Sequence, residues 1–448
     1  MALKLLLGGS PCTFWSIAQK ANRETEAEGM GWELFKNYLI ARDKYRPDFF
    51  LYENNKSMAR AIRDQIDREF TRPYTDSEDW VLIEHADTKG LTRWMFQHWL
   101  TCETVQISRI LINSALLSAQ NRERYYWTNI PAVEHPADLG ILLRDVLETG
   151  EAWRDKGYTI DANYFKTPGR IGFDSQAGRR KMVAEPVCVS QRGRYEDTGR
   201  RNVKGNGAIH QHFEARPDGK TNTLTTVQKD NFVAQPVRIG TIENDAKNPD
   251  HDSQQCRVYS PNGKAVTLCG NGGGVGAKTG LYAVPVTVEW RDGKTYPVYE
   301  VVDGQITIKD KTYPIKLADG FYIIRKLTVT ECKRLQTVPD DYFFPVSNAQ
   351  AYKMLGNGWT VDVIAHILSH APGITEEPLE VLSMYDGMGC GRIALNKLGA
   401  TVVKYYATEI DKYAVQTAQH NFPDTMQLGD AFQVRADWWT LEGVAEIW

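Results

Sequence analysis

The stretch from Leu379 onward constrains the fold of this chain most tightly. It runs as a strand (Leu379 to Tyr385), a glycine turn, a helix (Ile393 to Leu398), a strand (Tyr405 to Thr408) and a helix (Lys412 to Asn421). A βαβα alternation of this kind forms a parallel sheet with right-handed crossovers. The first 130 residues carry the same α/β texture. Leu3 to Leu7 is a short apolar strand, and an amphipathic helix passes through Trp32 to Ile40. Phe49 to Tyr52 is an apolar run too short for a helix. Ala59 to Phe70 is helical in pattern, while Ile107 to Asn113 and Tyr125 to Thr128 are strand-like.

Between 131 and 324 the texture changes. Glycine turns multiply and β-branched residues alternate with polar ones. Val298 to Leu327 predicts hairpins around Asp303-Gly304, Asp310-Lys311 and Asp319-Gly320. Pro217-x-Gly219-Lys220-x-x-Thr223-Leu224 recurs as Pro261-x-Gly263-Lys264-x-x-Thr267-Leu268, and Ala-x-Pro-Val stands at Ala184, Ala234 and Ala283. Repeated β units suggest a recognition module grafted on an enzyme, with a purely structural β-domain as the alternative. After Arg325 helical spacing returns. Thr328 and Glu331 make a capping-box pattern, and Ala349 to Leu355 and Val361 to Leu368 follow it.

Composition excludes several classes. Across 448 residues, no run approaches the ~18 apolar residues of a membrane span. Met1 to Leu7 is too short for a secretory signal. The seven cysteines are scattered without a Cys-x-x-Cys pair, so neither a disulfide framework nor a metal site is expected. A net charge of −3 argues against a general polyanion binder. Between Gly178 and Lys204, however, eight Lys and Arg (Arg179, Arg180, Lys181, Arg192, Arg194, Arg200, Arg201, Lys204) face three acids. That excess suits nucleic acid or a solvated surface loop.

Asp386-Gly387-Met388-Gly389-Cys390-Gly391 follows a strand and opens a helix, where glycines let a ligand approach the backbone. Glu409 ends the next strand, where a nucleotide-binding βαβ unit places an acid for ribose hydroxyls. Asp430 ends the following segment. No phosphate-binding lysine follows the glycines, so an adenosyl ligand without phosphates fits better than a nucleoside triphosphate. At the other end, Cys12 follows Pro11 in a glycine turn behind a strand. Glu53-Asn54 offers an acid at the same sheet edge, and Gln120-Asn121-Arg122-Glu123-Arg124 offers fixed cations.

Together these residues resemble the DNA (cytosine-5) methyltransferase family. Gly8 to Cys12 looks like its nucleophile block. Glu53-Asn54 looks like Glu-Asn-Val, with Asn55 where valine is usual. Gln120 to Arg124 matches Gln-x-Arg-x-Arg. Arg325 to Gln336 with Pro339 to Tyr342 matches the ninth block, and Leu355 to Val361 the tenth. Leu382 to Gly391, Glu409 and Asp430 match the first three. The cofactor blocks come last, so the chain resembles a circular permutant. Tyr125 to Asn129 and Trp359 to Val363 are similar to the animal de novo branch, and Thr13 stands where bacterial members usually carry glutamine.

The resemblance implies a Rossmann-like α/β sheet assembled from both chain ends, with an inserted β-rich target-recognition domain. The divisions are 1–130 for the catalytic lobe and 131–324 for recognition. The ninth and tenth motifs occupy 325–372, and the S-adenosyl-L-methionine-binding half occupies 373–448. It also implies Cys12 as nucleophile, Glu53 as acid at the base, Arg124 on the base and Arg122 holding the site or backbone. Cofactor contacts would come from Pro11, Tyr385, Asp386, Gly387, Gly389, Gly391, Glu409, Ile410, Asp430, Asn357 and Gly358. Substrate contacts would come from Ser10, Asn54, Arg192 and Arg194, with Arg200 and Arg201 as phosphate contacts or solvated charge. The stretch from Thr13 to Gly31 would close over a flipped base in double-stranded DNA. Rival readings are an RNA substrate, as in a transfer-RNA branch, and a catalytically inactive DNA-binding paralogue. The cytoplasm of a bacterial or phage-infected cell is the expected location, without membrane or metal, and a homo-oligomer or a companion restriction enzyme stays open. Residues 73–104, with Trp80, Trp94 and Trp99, fit no block and look like an insertion, expected to pack on the catalytic lobe, with docking of a partner or DNA as the alternative.

Overall fold

A computed structural model describes residues 2–16, 23–152, 155–160, 162, 181–186, 188–195, 209–216, 258–259, 281–282, 287–289, 294–308, 311–437 and 439. The chain divides into two compact units. One comprises Met1–Val146, Lys156–Lys166 and Thr328–Trp448; the other comprises Leu147–Asp155 and Thr167–Leu327.

The first unit is built on a nine-stranded sheet. Its strands are β1 (Leu3–Gly8), β2 (Phe49–Asn55), β3 (Trp80–Thr88), β4 (Leu91–His98), β5 (Thr104–Asn113), β6 (Glu123–Thr128), β7 (Leu379–Met384), β8 (Val402–Thr408) and β9 (Thr425–Gly429). The order across the sheet is β9-β8-β7-β1-β2-β6-β5-β4-β3. β9, β8, β7, β1 and β2 run parallel, and β6, β5, β4 and β3 continue antiparallel. The chain's two ends therefore meet in the middle of the sheet, with Leu3 opposite Leu379 and Gly8 opposite Met384. Leu5, Leu6 and Leu7 are fully buried, as the unbroken apolar run of a strand covered on both faces requires.

Helices α1 (Gly29–Tyr45) and α2 (Arg60–Thr75) bring Phe35, Tyr38 and Phe70 onto Phe50, Tyr52 and Trp127. Helices α3 (Val329–Leu335), α4 (Asn348–Asn357), α5 (Val361–Leu368), α6 (Cys390–Leu398) and α7 (Lys412–Asn421) complete the unit. The expected strand from Leu379 stops at Met384 rather than Tyr385, because Tyr385 turns to φ +60. The capping box forms as expected: Thr328 accepts from the Glu331 amide and the Glu331 side chain accepts from the Thr328 amide. Residues 73–104 add β3 and β4 as an antiparallel hairpin at the sheet's end. Trp80 stands edge-on to Tyr74 at 5.2 Å and Trp94 stacks on His85 at 5.6 Å, whereas Trp99 is exposed.

The second unit has an antiparallel sheet with strands Lys311–Pro314, Gln305–Ile308, Thr295–Val302, Gly320–Lys326, Lys181–Pro186 and Glu151–Ala152, in that order. Ala184, Val301, Ile306, Tyr322 and Ile324 form its core. Asp303 (φ 51) and Gly304 (φ 66) join Val302 to Gln305 as a two-residue turn with both central residues left-handed, the geometry that Asp-Gly favours. A separate hairpin pairs Cys188–Tyr195 with Ile209–Arg216, placing Arg192 opposite His212 and Arg194 opposite His210. The two Pro-x-Gly-Lys repeats, Ala234 and Ala283, Arg179 and Arg180, and Arg200, Arg201 and Lys204 lie outside the described residues.

Candidate active site

The five parallel strands end on one edge. Gly8 sits opposite Tyr52 and Met384, Met384 opposite Thr408, and Thr408 opposite Gly429. The next residues on each strand are therefore neighbours: Gly9 to Cys12, Glu53, Tyr385 to Gly391, Glu409 and Asp430. Strand order reverses between β7 and β1, and the crevice beyond such a reversal is where open α/β sheets bind ligands.

The turn after β1 is tightly braced. A Cβ on Gly9 would lie 3.0 Å from both the carbonyl oxygen and Oε2 of Glu53, so any side chain there would push Glu53 back by a few tenths of an ångström. Ser10 Oγ lies 2.6 Å from the Tyr52 hydroxyl, and Asn54 Nδ2 donates to the Ser10 carbonyl at 3.1 Å. Ser10 and Asn54 are both buried, holding the turn from beneath. Pro11, which is exposed, precedes a single 3₁₀ turn over Cys12–Phe14. Cys12 is a free, half-buried thiol whose carbonyl accepts from the amides of Trp15 and Ser16. Trp15 is fully buried and donates to Glu24 Oε2 at 3.0 Å, anchoring the Thr13 to Gly31 stretch, of which residues 17–22 lie outside the described residues.

Glu53 is buried and held at both oxygens. Arg124 Nε lies 2.9 Å from Oε1, and Trp359 Nε1 donates to Oε2 at 3.0 Å. Arg124 thus rests on the acid in this structure. Arg122, also buried, donates to the carbonyls of Gly358 (2.8 Å), Gly356 (3.3 Å) and Ile160 (3.3 Å), fixing the segment that carries Asn357 and Gly358. Burial, then the neighbouring Arg124, pushes the Arg122 guanidinium down to about 10, while Cys12 and Glu53 pull it back. Two guanidinium groups against one carboxylate leave an excess of positive charge at this corner. Gln120, the first residue of the same block, accepts from the Ile160 amide.

On the other side of the reversal, Tyr385 (φ 60), Gly387 (φ 62) and Gly389 (φ 78) turn the chain sharply into α6. A Cβ on Gly391 would lie 2.6 Å from Leu7 Cδ1, so the helix starts pressed against β1. A Cβ on Gly387 would meet nothing within 4 Å, so the Cα of that turn borders open space. Glu409 accepts from the amides of Gly387 (2.9 Å), Ile410 (2.7 Å) and Asp411 (2.8 Å). Ile410 beside it is 76% exposed, an apolar side chain offered to solvent. Tyr385 is half-buried, its hydroxyl donating to the Leu34 carbonyl at 2.7 Å. Asp386 is buried, accepts from the Tyr405 hydroxyl at 2.7 Å, and is pushed up to about 6 by burial. Asp430 is exposed and caps the 3₁₀ turn Ala431–Arg435. Asn357 is exposed at the end of α4, and a Cβ on Gly358 would lie 3.1 Å from Cys390 Sγ. A carboxylate for hydroxyl groups, a glycine turn with open space on its Cα side and an exposed aliphatic suit an adenosyl group.

Sequence reasoning gave no role to Trp359, although it stands in the tenth block, nor to Tyr342, whose hydroxyl donates to the Met388 carbonyl under the glycine turn at 2.5 Å. Arg192 and Arg194 lie on the second unit's hairpin and are described there only by register. Among the described residues no helix is long and apolar enough to cross a membrane, and no group of three His, Cys, Asp or Glu side chains is placed to hold a metal.

A sheet drawn from both chain ends, with a glycine turn and a cysteine-bearing turn side by side at its strand ends, is that of a Rossmann-like methyltransferase. The chain belongs to the C-5 cytosine-specific DNA methylase family, whose model matches residues 2–70 and 212–371. It is 29% identical over 150 residues to the type II methyltransferase M.HhaI of Haemophilus parahaemolyticus, covering 34% of this chain and 33% of that enzyme. It is 23% identical over 414 residues to the orphan methyltransferase M.SPRI of Bacillus phage SPR, covering 81% of each. A shorter stretch of 64 residues is 45% identical to the type II methyltransferase M.HpaII of Haemophilus parainfluenzae, covering 14% of this chain and 18% of that one.

Proposed function

We propose that the chain is a sequence-specific DNA (cytosine-5) methyltransferase that uses S-adenosyl-L-methionine. What supports this most is the meeting of Cys12, Glu53, Arg122 and Arg124 at one corner of the sheet, beside the glycine turn that Glu409 closes. Cytosine C5 is a weak nucleophile, and covalent addition at C6 activates it. The Cys12 thiolate forms a bond to C6 while Glu53 delivers a proton at N3. C5 thereby gains electron density and takes the methyl group. A base then removes the C5 proton, N3 returns its proton to Glu53, the sulfur–C6 bond breaks, and Cys12 leaves as thiolate. S-adenosyl-L-methionine would supply the electrophilic methyl, its sulfur–methyl bond breaking to leave S-adenosyl-L-homocysteine. Glu409 would hold its ribose hydroxyls and Asp430 the adenine amino group, with Ile410 and Tyr385 flanking the ring and Asn357 and Gly358 supporting it.

The target base has to leave the duplex to reach Cys12, at a cost of a few kcal/mol. The segment 131–324 would read base edges while Arg192 and Arg194 grip backbone or bases. The motif order would be that of a circular permutant, a reading supported by a family match that covers 2–70 and 212–371 and leaves 379–430 beyond it. The bacterial and phage relatives fit action in the cytoplasm of a bacterial or phage-infected cell.

The test is base-resolution sequencing of 5-methylcytosine in a methylation-deficient bacterial host expressing this chain or its Cys12→Ser twin. Methylation of one short motif, absent in the twin, is expected. Equal methylation in both overturns Cys12 as nucleophile. Blank DNA in both, from soluble protein that binds S-adenosyl-L-methionine, removes DNA as the substrate and brings RNA forward.

A further inference from the structure

Trp359 stands where three parts of the site meet. Its indole Nε1 donates to Glu53 Oε2 at 3.0 Å, while Arg124 occupies Oε1 at 2.9 Å. The same nitrogen lies 3.3 Å from where a Cβ on Gly9 would sit, in the turn leading to Cys12. Its ring carbon Cζ3 lies 3.7 Å from where a Cβ on Gly391 would sit, at the start of α6.

The backbone on both sides of Trp359 is fixed by groups that do not touch Glu53. Gly358 O accepts from Arg122 Nη2 at 2.8 Å. Thr360 Oγ1 donates to Gln336 Oε1 at 2.9 Å and lies 2.8 Å from Ser114 Oγ. Gln336 in turn donates to the Leu355 carbonyl at 2.6 Å. The indole is therefore aimed before any ligand arrives. A carboxylate held at one oxygen only still rotates about its terminal torsion, which is broad and soft. A second fixed donor at the other oxygen removes that freedom.

Resting on the function proposed above, we infer that Trp359 is a positioning residue for Glu53: its indole N–H fixes the plane of the Glu53 carboxyl against Arg124, so that the acid faces the base bound over Cys12. The competing role is that of a passive wall beside the cofactor turn at Gly391.

The test uses the full chain labelled with 5-fluorotryptophan. Among its twelve tryptophans, the Trp359 fluorine resonance is identified by its loss in Trp359→Phe or, if that chain does not fold, in Trp359→Tyr. Glu53→Gln keeps Trp359 in place and removes the charge it donates to, so the Trp359 resonance is expected to move. An unmoved resonance overturns the inference. On duplex DNA at saturating S-adenosyl-L-methionine, Trp359→Phe is expected to lower kcat about tenfold or more, the loss typical of one donor to a charged group, with the cofactor KM within about twofold. A raised cofactor KM with unchanged kcat makes Trp359 a wall only, and overturns it too. If the wild-type chain transfers no methyl to DNA, the functional reading falls, and the Glu53→Gln resonance alone then decides whether Trp359 positions the acid.

Discussion

Glu53 and Asp386 are buried carboxyl groups carried by the two strands that flank β1, and their partners differ. Glu53 has a guanidinium and an indole donor. For Asp386, burial and the Glu409 charge outweigh the hydroxyls of Ser383 and Tyr405 and the Arg392 charge, so its carboxyl rises from 3.8 to about 6. A carboxyl raised in the fold holds a proton that the unfolded chain has released, so its stabilising contribution is present at low pH and is lost as pH rises through 6. A tenfold difference in proton affinity between the folded and unfolded chain is worth ~1.4 kcal/mol. The wild-type advantage over Asp386→Asn in urea unfolding should therefore be larger at pH 5 than at pH 7, by on the order of 1–2 kcal/mol. An equal advantage at both values would mean that the fold leaves Asp386 ionised throughout. The sequence made Cys12, Glu53 and Glu409 visible as candidates because each follows a short apolar run, while the roles expected of Cys12 and Glu53 came from the family resemblance. Trp359 was not visible in that way. Its acceptor lies in another part of the chain, and only the strand order brings the two together.

Among the elements, α5 and α7 lie where helical spacing predicts them, because each shows an apolar face and a clear end. Helix α3 owes its start to the Thr328–Glu331 capping box. Thr328→Ala removes the acceptor for the Glu331 amide and should cost about 1 kcal/mol, read as a lower thermal midpoint. A larger loss would show that the buried Glu331 side chain had lost its seat as well. The hairpin of β3 and β4 was legible only as an insertion, since its strands complete no pattern until β5 pairs with β4. Its outer strand exposes Val81 (53%), Leu82 (47%) and Ile83 (49%). Such an edge invites pairing between molecules, and inserted lysines usually suppress it. Val81→Lys with Ile83→Lys should leave unfolding within ~0.5 kcal/mol while lowering concentration-dependent light scattering. Unchanged scattering would clear this edge of any part in association.

For the molecule as a whole, the α/β alternation of the two ends was readable, and so was the change of texture between them. The pairing of β1 with β7 was not dictated by either strand, because a run of leucines fits any covered position in a parallel sheet. The family resemblance supplied that expectation, and the register Leu3 opposite Leu379 realises it. Residues 1–371 produced without the rest should fail to protect the amides of Leu5 to Leu7 from hydrogen exchange, since β1 then lacks its neighbour on one side. Co-production with 373–448 should restore protection and let the two pieces purify together. Protection in the shorter piece alone would mean that the sheet closes without β7. The central contact also joins residues 376 positions apart, Leu3 with Leu379, an extreme sequence separation for a core pairing. On the ribosome, β1 emerges well before β7 and waits while the intervening 370 residues, 9–378, are made. For that whole interval an apolar strand stands without its inner neighbour, and chaperone occupancy of the nascent chain should last until Met384 clears the exit tunnel.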